Sequence, residues 1–113
     1  MSLIEQIEGH LQERVKQNSV AYAKLWEIRN EVAELAKRVG CIQAFRDGFW
    51  YFAPDRRGST RVFQCYVEND YVYMHYDGEP QPESVTHVSL EKVMNTIAAT
   101  VANRLANAGR YKV

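Results

Sequence analysis

The chain has 113 residues, with 14 Lys and Arg against 14 Asp and Glu, so its formal charge is zero. That length suits one domain around one modest core. The balance excludes a global field that would draw the chain onto nucleic acid or an anionic membrane, and any charged site must therefore be local.

Cys41 and Cys65 sit in strand-like runs without the dense, even spacing of disulfide-stapled secreted modules, and both are expected to be reduced. The opening Met1-Ser2-Leu3-Ile4-Glu5 lacks the basic and apolar regions of a secretion signal. No apolar run approaches the roughly 18 to 20 residues that cross a bilayer. The expectation is a soluble cytoplasmic protein forming one α+β domain over 1–113: a helix over 2–39, an antiparallel sheet over 41–76 and a helix over 89–108.

Ser2-Leu3-Ile4-Glu5 has the form of a capping box, and Gly40 follows Lys37 and Arg38 as a stop signal, so the first helix is bounded at both ends. Between them Ile4, Ile7, Leu11, Ala21, Leu25, Ile28, Val32, Leu35 and Val39 recur at alternating spacings of three and four. Arg14 and Asn18 fall on the same stripe, either as a register-setting polar pair or as the site of a kink near Asn18-Ser19. Val15, Tyr22 and Ala36 widen the stripe beyond a two-position seam, and a parallel zipper would oppose Lys24 to Arg29. A packed helix is therefore favoured over a free parallel coiled coil.

Length creates a difficulty for that helix. At 1.5 Å per residue it runs about 57 Å, whereas a domain of this size has a radius of gyration of about 13 Å. Either it bends, or the overhanging turns bearing Ile4, Ile7 and Leu11 pack on a second copy. Trp26 lies off the stripe, as an edge-of-core residue or as an interface anchor.

From Cys41 to Tyr76, β-branched and aromatic residues alternate with turn residues, which predicts a four-stranded antiparallel meander. Asp47-Gly48 predicts a type I′ turn joining 41–46 to 49–53, and Asn69-Asp70 a second turn joining 61–68 to 71–76. The second turn pairs Val67 with Val72, Cys65 with Met74 and Phe63 with Tyr76 on one apolar face. The other face then carries Val62, Gln64, Tyr66, Tyr71, Tyr73 and His75, joined by either Phe49 and Tyr51 or Trp50 and Phe52. A one-sided sheet would show Lys, Glu, Thr and Ser there. Tyrosines on that side fit three arrangements: a sheet covered on both faces by one helix each, a surface for a partner or second subunit, or a small-ligand pocket.

The segment 54–61 joins the two hairpins and carries Arg56, Arg57 and Arg61 around Gly58-Ser59-Thr60. As a site it would hold a phosphate or an acidic protein patch; as plain structure it is a solvated turn, and it lacks the spacing of a P-loop. The proline-broken stretch 77–83 leaves the sheet, with a short edge strand expected over 85–88. Ser89 caps a last helix in which Leu90, Val93, Met94, Ile97, Val101 and Leu105 share one face, and alanines slim its sides. The segment 110–113 reads as a frayed tail.

His10, His75 and His87 show no zinc-ligand spacing, and no cofactor or metal is implied. His75, near Asp77, is the one acid/base candidate, and a histidine satisfied within the sheet is the simpler account. Zero net charge and the lack of RNP patterns argue against RNA binding through the exposed aromatics. In its compact, motif-poor, aromatic-surfaced character the chain resembles small accessory proteins of phages and other mobile elements. The reading that follows is a non-catalytic interaction module, a homodimeric accessory or inhibitor-type protein. It would bind through Tyr66, Tyr71, Tyr73, His75, Trp26, Arg56, Arg57 and Arg61. The alternative is a small-molecule binder or minor enzyme with its pocket between Tyr66, Tyr73, His75 and a covering helix.

Overall fold

A computed structural model describes residues 2–107, and over 13–19 it describes the backbone alone. Helix α1 (Leu3–Ala36) begins where Ser2 accepts the Glu5 amide hydrogen at 3.2 Å, the cap that the sequence predicts. It runs as one helix and ends three residues before Val39. There the Lys37 and Val39 amides turn back onto the Ala33 and Leu35 carbonyls, and Gly40 takes φ +85°. The side chains of Arg14, Val15 and Asn18, and the tail 108–113, lie outside the described residues.

Strands β1 (Cys41–Phe45), β2 (Gly48–Asp55), β3 (Gly58–Glu68), β4 (Tyr71–Tyr76) and β5 (Glu83–Ser84) follow in that spatial order, every neighbouring pair antiparallel. Helix α2 (Leu90–Asn107) closes the α+β domain, its Lys92 amide capped by the Ser89 hydroxyl at 3.2 Å. Asn69 and Asp70 adopt φ of 51° and 69°, as a type I′ turn requires, and Val67, Cys65 and Phe63 pair with Val72, Met74 and Tyr76 in the expected register.

Four local expectations are corrected. The β1–β2 turn is Arg46-Asp47, one residue early, and Gly48 belongs to β2 opposite Phe45 and Tyr66. The arginine loop shrinks to Arg56-Arg57, because pairing continues through Pro54↔Ser59 and Asp55↔Gly58. Asp55 at the first turn position and Gly58 at the fourth suit a tight turn, and the Asp55 carboxylate accepts the Arg57 amide at 2.8 Å. Val62 is buried, since the register slips between Tyr51 and Phe52 and leaves Val62 as the extra residue of a bulge, turned inward beside Phe63. The edge strand is β5, pairing with Tyr73 and Met74, while 85–88 turns away after Val85.

Both helices lie on the same side of the sheet. Ala21, Leu25, Ile28 and Val32 of α1 and Val93, Ile97, Val101 and Leu105 of α2 join one core with Phe49, Tyr51, Phe63, Cys65, Val72 and Met74. Phe63 is its aromatic centre, with ring centroids 6.1 Å from Phe49, 5.5 Å from Tyr51 and 5.7 Å from Tyr76. Tyr51 and Gly40 meet at the closed end of α1, and Tyr22 donates to the Asp47 carboxylate at 2.7 Å where α1 leaves the sheet at the opposite end.

Beyond that point α1 projects alone. Leu3, Ile4, Ile7 and Leu11 are 71%, 69%, 50% and 58% exposed, although Ile4, Ile7 and Leu11 continue the spacing of the buried residues. The molecule measures 66 × 28 × 24 Å with a radius of gyration of 17.2 Å, well above the about 13 Å of a compact chain this long. No helix among the described residues is long and apolar enough to cross a membrane.

Candidate functional site

The sheet face turned away from the helices is built of three rows set by the strand register. Phe45, Gly48, Tyr66, Tyr73 and Ser84 form the first row, Gln43, Trp50, Gln64 and His75 the second, and Cys41, Phe52 and Arg61 the third. Trp50 and Phe52, rather than Phe49 and Tyr51, are thus the β2 residues on this face. Among the described residues no helix covers it, and Trp50, Phe52, Gln64, Tyr66, Tyr73 and His75 are all half-buried by their neighbours in the sheet.

Gly48 carries no side chain into the first row, because β3 passes close against it, and two ring pairs flank it. Phe45 and Trp50 sit with centroids 5.0 Å apart, and Tyr66 stacks on Tyr73 at 5.6 Å. Burial lifts the Tyr66 hydroxyl above its ordinary range, with smaller contributions from Glu68 and Tyr73, so Tyr66 stays a neutral hydrogen-bonding tip on an apolar surface.

The second row is a polar strap. The Trp50 indole N–H donates to Gln64 Oε1 at 2.9 Å, which turns the Gln64 amide nitrogen toward His75 Nδ1 at 3.3 Å. Nδ1 must then accept, so the ring hydrogen sits on Nε2 and is donated to the Glu79 carbonyl at 2.8 Å. Both nitrogens of His75 are engaged in holding the face in shape, and a general base at this position would first have to break the strap.

No family model, curated protein or solved structure matches this chain.

The residues predicted from sequence divide into those the fold gathers and those it separates. Tyr66, Tyr73, His75 and Arg61 share the open face, with exposed Tyr71 at its margin opposite Glu68. Arg61 lies 4.0 Å from Asp77, whose other carboxylate oxygen is 3.7 Å from Arg104. Arg56 and Arg57 are exposed at the β2–β3 turn, at the end of the sheet. Trp26 is on α1, half-exposed, with the Arg29 guanidinium 4.7 Å above its ring, and it lines a small crevice with Phe45 and Arg46. Phe45 was missed by sequence reasoning, and the alternation running back from Phe45 through Gln43 to Cys41 was the signal that places it on this face.

Proposed function

We propose that this chain is a non-catalytic protein–protein interaction module that works as a homodimer, of the accessory or inhibitor type. One observation carries the reading. Past the sheet, on the far side of the polar positions Arg14 and Asn18, the register of α1 returns to apolar residues, so Ile4, Ile7 and Leu11 stand in water on the line of Ala21, Leu25, Ile28 and Val32. An isolated helix end of that kind gains nothing by being apolar unless another surface covers it. A second copy is the economical cover, because it carries the same unpaired stripe.

The open aromatic face is the surface offered to a further protein partner, with Tyr66, Tyr73, Trp50 and Phe52 giving contact area and Arg61 charge at the rim. The small-molecule alternative needs a helix over Tyr66, Tyr73 and His75, and both helices pack on the other side. A reducing, cytoplasmic setting is supported by Cys41 and Cys65, which are free and stand on opposite faces of the sheet.

Light scattering of the full chain at micromolar concentration tests the reading. A mass of twice 13.1 kDa is expected, falling toward the single-chain mass for Leu11→Asp. A strictly monomeric wild-type chain would overturn it.

A further inference from the structure

The outer strand of an open sheet presents a row of backbone donors and acceptors, and proteins blunt such rows with proline, with charge or by keeping the strand short. The far border of this sheet is blunted in all three ways. β5 is two residues long, follows Pro82 and carries Glu83. On the near side β2 runs on past the start of β1, which pairs only as far as Phe52. Asp55 and Gly58 flank a two-residue turn and exchange hydrogen bonds, which points Pro54, the next residue back, away from β3, where it offers no amide hydrogen. β1 has none of these devices. Its Cys41-Ile42-Gln43-Ala44-Phe45 holds no proline and no charge, and Cys41, Gln43 and Ala44 are exposed.

The register fixes what this edge offers. Phe45 and Gly48 flank the turn Arg46-Asp47 and exchange hydrogen bonds, and by alternation so do Gln43 with Trp50 and Cys41 with Phe52. Ile42 and Ala44 therefore direct an N–H and a C=O each away from β2, and among the described residues no turn, loop or helix backbone bonds to them. Resting on the reading of the chain as a protein-binding module, we infer that β1 is a docking edge, where an extended segment of a protein partner adds a further strand to the sheet.

The edge also describes its occupant. About five residues cover it, or roughly 17 Å at about 3.4 Å each. Nothing within 41–45 can pair with a charge, whereas exposed Arg38 and Arg46 stand just beyond the two ends, so the fitting segment is uncharged with acidic residues flanking it. Exposed Ala44 leaves room for a bulky side chain on the helix side, and on the open side the added strand lies next to Phe45, widening the aromatic face. A second copy is the other strand to consider, and charge disfavours it. Two-fold pairing of β1 with β1 is antiparallel, and at full overlap it sets Arg46 of each copy against the Arg38 end of the other, like charge to like at both ends.

The test pans a phage-displayed library of random peptides against the full chain and measures the best-selected peptide by calorimetry. Ala44→Pro removes an outward amide hydrogen and leaves every β1–β2 bond in place, so it should weaken that peptide by about tenfold or more. In the wild-type complex hydrogen exchange should slow at the Ile42 and Ala44 amides. N-methylation of the peptide needs no variant to fold: methyl groups on one alternate set of its amides should abolish binding, and on the other set should leave it. A peptide that binds Ala44→Pro equally well and tolerates methylation of either set docks elsewhere and overturns the inference, as does a library that yields no binder. Light scattering separates this contact from the dimer. Ala44→Pro should keep the wild-type mass; a fall to the single-chain mass would make β1 the seam between copies and overturn the partner strand, whereas a monomeric wild type whose edge still binds the peptide overturns only the dimer through α1.

Discussion

The buried side chain of Tyr51, in the middle of β2, donates its hydroxyl hydrogen to the carbonyl of Val39 at 2.6 Å, tying the sheet to the chain just past the end of α1. Tyr51→Phe keeps the ring and its stacking on Phe63 but loses this bond, and should cost about 1 kcal/mol. Urea unfolding should show a lower midpoint with an unchanged slope; an unaltered midpoint would mean that the tie contributes nothing.

Two glycines should respond to alanine in opposite directions. At Gly48 a Cβ would run into the Cys65 carbonyl oxygen and the Tyr66 backbone on the neighbouring strand, so Gly48→Ala should destabilise by about 1 to 3 kcal/mol. At Gly9, inside α1 and with open space around it, Gly9→Ala should instead stabilise the helix by about 0.5 to 1 kcal/mol. Thermal melts of the two variants read the difference directly.

Stability should fall on the alkaline side. Burial pushes the Cys65 thiol from its ordinary 9.0 up to about 12. From pH 9 upward the unfolded chain releases this proton while the folded chain keeps it, so the stabilisation present below pH 9 is lost as pH rises toward 12, at about 1 kcal/mol per pH unit. Tyr22, Tyr66 and Tyr76 are raised as well and add to the slope. Cys65→Ala should lower stability at neutral pH through the lost packing, yet show a shallower decline in denaturation measured between pH 8 and 11. Parallel curves for wild type and variant would contradict this assignment.

Replacing Arg56, Arg57 and Arg61 by alanine should shift the melting temperature very little, because exposed charges contribute about 0 to 1 kcal/mol. Asp77 keeps Arg104, which also donates to the Asp77 carbonyl at 3.0 Å. If these arginines dock an acidic partner, the triple variant should weaken capture of that partner and flatten its salt dependence. Capture unchanged by the substitution would remove them from the site.

Most of the scaffold was legible because it rests on local rules. The spacing of Ile4 through Leu35 gives the helix and its overhang, and Asn69-Asp70, needing positive φ, pins the β3–β4 register without knowledge of anything distant. Where the sequence misled, the reason lies in tertiary contact. Asp47-Gly48 looked like a turn dipeptide, but Gly48 is glycine because β3 passes too close for a side chain. Val62 looked outward-facing, but a bulge opposite Phe52 turns it in. That both helices share one side of the sheet, and so leave Trp50, Phe52, Tyr66 and Tyr73 uncovered, could not be read from periodicity, which reports that a stripe is buried and says nothing of which sheet face buries it.

The order of elements along the chain also imposes an order in time. On the ribosome α1 is made first, yet Ala21, Leu25, Ile28 and Val32 have nothing to rest on until the strands from Phe49 onward emerge, and the closing residues Val93, Ile97, Val101 and Leu105 come last. Helix–coil exchange takes about a microsecond, so whenever α1 forms on the nascent chain its apolar stripe stands uncovered until the strands arrive. Such segments are what chaperones hold, and chains stalled before Leu90 should remain bound to them.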